Sequence, residues 1–345
     1  MSKNIKRILI ALGFIILAGA GIAFYFYRIV FSPNVIIQSD QVIYIPTGSK
    51  LNDVVHVLDT AAILKNTNSF EKVAGWMKFE DPNINPGKYT IKPGWNNRQL
   101  VSLLRAGIQT PVNLVINNVR TVTELAGKIA SQIEIDSIQL AAYMTDSNTA
   151  TKYNLKKESF LSLFVPNTYQ VYWTVKADAI VERLAKEQEK FWASDQRLEK
   201  AKALNMTKEQ VYTMASIVER ETQAGSERPT VAGLYLNRLE QDIPLQADPT
   251  VVFATGIFDL RRVLNKHLEI ESPYNTYKYA GLPPGPIFMP SIQSIDAVLN
   301  AEDHDYIYMC ARPDNSGLHA FAASITDHNR NANRYRNWLN ERGIK

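Results

Sequence analysis

A run of twenty residues without a charge, from Ile8 to Tyr27, constrains this chain more than any other feature of it. At about 1.5 Å per residue, a helix of that length spans the ~30 Å hydrocarbon core of a bilayer, so the run predicts one membrane-crossing helix. Lys3, Lys6 and Arg7 precede it and only Arg28 closes it. That bias keeps residues 1–7 cytoplasmic and exports the body. Tyr25 and Tyr27 suit the outer interface. The competing reading is a cleaved signal peptide, because Ala18-Gly19-Ala20 imitates a processing site. Signal h-regions are usually shorter, however, and apolar residues continue for seven positions beyond Ala20. No later stretch is apolar enough to span again. The expected location is the cytoplasmic (inner) membrane, single-pass, with a periplasmic or otherwise extracytoplasmic body.

Charge then narrows the partners. Lys and Arg number 38 against 34 Asp and Glu, and Lys3, Lys6, Arg7 and Arg28 all precede the first acid, Asp40, so the body is neutral. A neutral body is a poor polyanion binder, which argues against nucleic acid. With 46% hydrophobic and 21% charged residues, 345 residues suffice for two or three domains with sizeable cores. A single cysteine, Cys310, permits no internal disulfide, multi-cysteine zinc site or CxxC pair. The five histidines show no HExxH spacing, and no P-loop, GxGxxG or GxSxG elbow occurs. Neither metal nor cofactor is expected.

The body reads as α+β. Ser32-Pro33-Asn34 breaks the first helix, and Val35-Ile36-Ile37 and Val42-Ile43-Tyr44-Ile45 read as short strands. Ile45-Pro46-Thr47-Gly48 is followed by Leu51, Val54, Val55 and Leu58 at helical spacing, and Ile91-Lys92-Pro93-Gly94 by Leu100, Val101 and Leu104. A weaker third copy, from Ile116 to Ile129, has Val119 where the turn glycine should be. Each copy is strand, tight turn, amphipathic helix, and their unequal offsets exclude a fixed-period solenoid. Such units look like LysM-like modules that pack against glycans, or like generic α+β packing. The stretch from Lys176 to Asn205 reads as a solvated connecting helix pair, and Tyr306 to Ala311 as a buried strand holding Cys310 in the core. Asp327 to Arg342 reads as an exposed helix. The implied divisions are 1–7 cytoplasmic, 8–27 anchor, 28–112 LysM-like module, 113–205 connecting region and 206–345 catalytic region.

Thr207-x-x-Gln210 is a capping box that opens a helix with Val211, Met214, Ala215 and Val218 on one face. Two carboxylates ride on it. At about 100° per residue, Glu221 falls near the middle of the apolar stripe and Glu219 at its edge, so periodicity prefers Glu221 as the buried acid. Either could be a carboxyl raised by apolar neighbours, as a general acid needs near neutral pH, although helix glutamates are usually solvated. Gly281-Leu282-Pro283-Pro284-Gly285-Pro286 is a stiff loop, fit to wall a groove or to turn a corner. Glu302-Asp303-His304-Asp305 reads as a surface turn.

Five blocks then occur in order: Ala215-Ser216-Ile217-Val218-Glu219-Arg220-Glu221-Thr222, Leu245-Gln246-Ala247-Asp248-Pro249-Thr250-Val251, Ser272-Pro273-Tyr274-Asn275-Thr276-Tyr277, Gly281-Leu282-Pro283-Pro284-Gly285-Pro286-Ile287 and Gly317-Leu318-His319-Ala320-Phe321. Together they resemble the membrane-anchored endolytic murein transglycosylases, the MltG or YceG-like family. The resemblance implies an α+β YceG-like catalytic domain behind a single transmembrane helix and a LysM-like module. It also implies a lytic transglycosylase, a lyase that cuts nascent peptidoglycan strands between MurNAc and GlcNAc with 1,6-anhydro ring formation. By the same match Glu219 is the catalytic acid, Glu221 a supporting residue, and Gln246, Asp248, Asn275, Tyr277 and His319 bind substrate. Peptidoglycan synthases are implied as partners by analogy, and no cofactor is implied. Where the family often has Glu-Gly, this chain has Leu161-Ser162, so an acid role there is in doubt. The rival readings are a non-catalytic wall-binding scaffold and a hydrolase with Asp248 or Glu221 as second carboxylate.

Overall fold

Helix α1 (Lys3–Phe31) carries the long apolar run, with a mean hydropathy of 2.5 over its best window and no buried residue. It is the one helix among the described residues long and apolar enough to cross a membrane. Ser32 closes it, donating its N–H to the Arg28 carbonyl, and Pro33 prevents continuation. These observations come from a computed structural model that describes residues 2–260 and 262–343. Positions 1, 261, 344 and 345, at the edges of the expected cytoplasmic stretch and within the expected catalytic region, lie outside the described residues.

The chain divides into two units. The first runs to Asn113 and adds Gln132–Glu134 and Gln170–Val175. Beyond α1 it holds β1 (Gln41–Ile45), α2 (Leu51–Thr60), α3 (Thr67–Trp76), β2 (Gly87–Ile91) and α4 (Asn97–Ala106). β1 and β2 pair antiparallel, with Ile43 opposite Tyr89. The first two strand-turn-helix copies are therefore one module, because their strands pair with each other. Alternation turns Ile43, Ile45, Tyr89 and Ile91 inward onto Val54, Leu58, Phe70, Leu100 and Leu104. Gly48 (φ 85°) and Gly94 (φ 71°) make the left-handed turns that join strand to helix. Val35 forms an isolated bridge to Leu64 where a strand was expected. Its neighbours Asn34 and Ile36 donate instead to the Trp95 and Ile63 carbonyls. Asn97 Nδ2 donates to the Ile29 carbonyl (2.8 Å), and its Oδ1 accepts from Asn34 Nδ2 (2.7 Å). These amides tie the end of α1 to the module's core.

The second unit comprises Leu114–Ser131, Ile135–Tyr169 and the chain from Lys176 onward. β3 (Val112–Ile116) pairs with a later strand, β4 (Asn167–Val171), and precedes α5 (Val122–Ala130). In this third copy Asn118 takes the left-handed conformation (φ 50°) and Val119 is buried. Asparagine tolerates that conformation, which is why no glycine is needed. α6 (Ser137–Thr145), α7 (Ser147–Lys152), α8 (Ala177–Ala193) and α9 (Arg197–Ala203) follow. α8 is not a solvated connector, since Ile180, Val181, Leu184 and Trp192 are buried.

At the centre lies α10 (Lys208–Glu221), opened by the expected capping box between Thr207 and Gln210. Every residue from Val211 to Val218 is buried, because α10 is enclosed by α11 (Arg228–Glu240), α12 (Asp248–Thr255) and, further along, α14 (Ile292–Leu299), with the short α13 (Asn265–Leu268) between the last two. β5 (Tyr308–Ala311) pairs antiparallel with β6 (His319–Ala322), and α15 (Ile325–Glu341) has no buried residue. Cys310 in β5 is half-buried, short of the core position expected for it.

Gly285 shows how tightly the proline-rich loop is seated. A Cβ there would lie 1.9 Å from the Glu158 carbonyl oxygen. Gly285→Ala must displace backbone and is expected to cost about 1–3 kcal/mol, as overpacking does. A thermal melt of the variant checks this, and an unchanged midpoint would contradict the packing described.

Candidate active site

The two carboxylates near the end of α10 have opposite surroundings. Glu219 is fully engaged: Oε1 accepts from Arg228 Nη2 (3.1 Å), and Oε2 accepts from Ser291 N (3.2 Å), Ser291 Oγ (2.6 Å) and Ser294 Oγ (2.6 Å). Ser291 is the N-cap of α14, so the carboxylate also sits at the positive end of that helix. Burial pulls the Glu219 pKa upward, but the hydroxyls of Ser291 and Ser294, the Arg228 charge and the Ser291 N–H together hold it below the ordinary value. Arg228, buried at the start of α11, donates in addition to Ser291 Oγ and Gln293 Oε1. The cluster fastens α10, α11 and α14 to one another.

Glu221, two residues on, is a carboxyl with little to hold its charge. Oε2 is enclosed and has no hydrogen-bond partner, although other parts of the residue keep some exposure. Burial first, then the nearby Asp248 charge, push its pKa up to about 7, against a hydrogen bond from the Tyr235 hydroxyl that favours ionisation. The same burial and the Glu221 charge raise Tyr235 well above the usual phenol range. Asp248, at the start of α12, is exposed, and its Oδ1 accepts from Tyr277 Oη (2.6 Å). One enclosed carboxyl with a raised pKa thus lies near an exposed one, the contrast of surroundings that sets a proton donor apart.

Both carboxyls open on a pocket of about 400 Å³ whose other walls are Arg120, Arg220, Pro249, Val252, Phe253 and Phe258, with Leu260, Arg262, Val263 and Ile287 completing it. Ile287 is held in place by its N–H, which donates to Ser216 Oγ on α10 (3.0 Å). The proline-rich loop contributes to this wall only at that end, since Gly281, Leu282, Pro283 and Pro284 face a separate cavity. Among the described residues no group of three His, Cys, Asp or Glu side chains is placed to hold a metal ion.

The other sequence-derived candidates divide. Gln246, in the left-handed conformation (φ 53°), accepts from the buried Arg238 through Oε1 (2.8 Å), and its N–H donates to the Thr276 carbonyl (3.0 Å). This pairs the Gln246 segment with the Asn275–Tyr277 segment and so positions Asp248 against Tyr277. Asn275 is wholly buried: Nδ2 donates to the Leu268 and Ile270 carbonyls, and Oδ1 accepts from Tyr277 N. Its side chain is committed to the loop and has no donor left for a ligand. His319 pairs with Glu227, Nδ1 to Oε2 at 3.0 Å, while its backbone N–H donates to Glu227 Oε1 (2.8 Å). Neither Asn275 nor His319 lines the Glu221 pocket.

Arg228, Tyr235, Ser291, Ser294 and the pocket arginines were missed by sequence reasoning. Ser291-x-x-Ser294 before an apolar run carries the helix N-cap signal, which was there to be read. Nothing in the sequence pairs it with a glutamate more than seventy residues earlier. Around Leu161-Ser162, where the family often has Glu-Gly, residues Phe160–Leu163 form a buried 3₁₀ turn, and Tyr212 of α10 donates to the Phe164 carbonyl just beyond it (2.8 Å).

Comparison with known proteins places the chain in a family. The chain is 27% identical over 318 residues to the endolytic murein transglycosylase of Bacillus subtilis (strain 168), covering 87% of this chain and 86% of that protein. It is 26% identical over 320 residues to the endolytic murein transglycosylase of Streptococcus pneumoniae serotype 2 (strain D39), covering 83% of this chain and 57% of that one. A crystal structure of a YceG-like protein from Listeria monocytogenes superposes with a TM-score of 0.58 at 28% identity, over 85% of this chain and 99% of that chain. The family model described as YceG-like matches residues 43–334, and the chain belongs to the YceG-like family.

Proposed function

We propose that this protein is an endolytic murein transglycosylase and that its proton donor is Glu221, with Glu219 fixing the helix that carries it. The observation that carries the assignment is the enclosed Glu221 carboxyl, raised to about 7 and open to a pocket it shares with Asp248. Protonated Glu221 gives its proton to the glycosidic oxygen as the bond to the muramyl anomeric carbon breaks. The C6 hydroxyl of the same sugar then closes on that carbon, favoured by the high effective molarity of a tethered nucleophile. The hydroxyl proton returns to the Glu221 carboxylate, so no water is consumed and a 1,6-anhydro ring remains. Asp248, held by Tyr277, supplies negative charge toward the oxocarbenium-like carbon, and Gln246 keeps its segment in register. The names of the Bacillus and Streptococcus relatives support the substrate class.

The apolar α1 supports an anchor in the cytoplasmic membrane with residues 1–7 inside and the catalytic unit outside, close to where new strands emerge. The antiparallel pair β1–β2 with its flanking helices supports a LysM-like glycan grip. Peptidoglycan synthases are the partners that such a position implies. Mass spectrometry of products from purified glycan strands tests the reaction. Anhydro-muramyl ends are expected. Reducing ends with water added would make the protein a hydrolase using Asp248 as the second carboxylate, and uncut strands that still bind would make it a scaffold.

A further inference from the structure

Three arginines converge on the Glu221 pocket from distant parts of the chain: Arg120 between β3 and α5, Arg220 on α10, and Arg262 ahead of α13. Arg220 and Arg262 are exposed and Arg120 is half-buried. Among the described residues none of the three makes an ion pair, although Asp248 lines the same pocket. The Arg120 guanidinium lies over the Phe258 ring at 4.8 Å and that of Arg220 over Phe288 at 5.1 Å. Stacking on an aromatic face fixes the plane of a guanidinium and leaves its N–H edge free, the geometry that grips a carboxylate bidentately. Among the described lining residues, three arginines face Asp248 and a Glu221 carboxyl whose charge burial disfavours. A glycan stripped of its peptides offers them only the single lactyl carboxylate of each muramyl sugar, whereas each peptide brings further carboxylates.

We infer that these arginines bind the carboxylates of the peptide carried by the muramyl sugar being cleaved, so that the enzyme selects peptide-bearing glycan over bare glycan. The inference rests on the proposed glycan-cleaving role of this pocket. The peptide leaves the muramyl ring through the lactyl ether at C3, two carbons around the ring from the reacting C1, and must emerge beside the proton donor. Its methyl-bearing and methylene parts match Val252, Phe253 and Phe258, which line the same pocket as the arginines.

The test uses the full chain in detergent micelles, carrying Glu221→Gln so that binding is read without cleavage. Its probes are lipid-free uncrosslinked strands, with peptides intact or removed by an amidase. Peptide-bearing strands are expected to bind about tenfold tighter, since each peptide brings more than one carboxylate to three arginines where the stripped sugar keeps one. Adding Arg120→Gln and Arg262→Gln should reduce that preference to under about twofold, and raised salt should weaken it in the same direction. Equal affinity for the two strands, or a preference unchanged by the arginine substitutions, would overturn the inference. Failure of the cleavage reading shows separately, as wild-type protein that leaves no anhydro ends on either strand.

Discussion

Glu221→Gln is expected to lower strand cleavage by about 10³-fold with the fold intact, because the amide keeps the shape of the side chain and has no proton to give a leaving group. General acid–base groups contribute about 10²–10⁴ in rate, and in the proposed mechanism one carboxyl serves as acid and then as base. The same variant carries a second, independent signature. An ordinary glutamate titrates near 4.5 and Glu221 near 7, so between those values the folded state holds a proton that the unfolded chain releases. Stability from this group is complete below pH 4.5 and is lost as pH rises through 7, by about 3 kcal/mol. Glu221→Gln should therefore melt above the wild type at pH 8 and close to it at pH 4.5. The acid limb of catalysis should fall away above about pH 7. A variant that cuts strands at the wild-type rate would remove Glu221 from the chemistry, and one with an unchanged pH–stability profile would contradict its burial.

The second large effect is structural. Glu219→Ala deletes the acceptor for the Arg228 guanidinium, 9% exposed, and for the hydroxyls of Ser291 and Ser294. Removing one partner of a buried pair leaves the other charge uncompensated, at about 3–5 kcal/mol. Glu219→Gln keeps an acceptor oxygen and should cost less, with cleavage retained by the folded fraction. The pH signature is opposite to that of Glu221. Because the folded-state pKa of Glu219 is lowered, its contribution is present above 4.5 and lost as pH falls through the lowered value. Circular dichroism melts at pH 3.5 and 6, beside strand cleavage at pH 6, check both halves. A Glu219→Gln protein that melts like the wild type yet cuts nothing would return the acid to Glu219, where family resemblance first put it.

These two residues show where a one-dimensional reading stops. The helical wheel favoured Glu221 as the buried acid, and the resemblance to a known motif favoured Glu219. Both stand in the same eight-residue block, and a motif read as letters does not say which of two glutamates faces a ligand. The wheel also assumed one apolar stripe, whereas Val211 to Val218 are buried all round. Each carboxylate's role then depends on what surrounds the end of α10: Arg228 and the α14 serines for one, Tyr235 and Asp248 for the other. Asn275 and His319 were drawn into the groove by the same motif logic. Their side chains meet the carbonyls of Leu268 and Ile270 and the carboxylate of Glu227, contacts that no motif shows.

What the amino-acid sequence determined by itself is local. An uncharged run long enough to cross a bilayer, the capping box of α10, and the strand-turn-helix periodicities with Gly48 and Gly94 at their turns all follow from residues a few positions apart, where helix pitch and backbone sterics act. Tertiary structure decided that β1 and β2 pair with each other, that Arg228 and the α14 serines surround Glu219, that Glu221 is enclosed, and that Arg120, Arg220 and Arg262 line one pocket. The physical reason is that a carboxyl's proton affinity is set by desolvation and by charges brought within a few ångströms, and folding draws those charges from segments that lie many residues away along the chain.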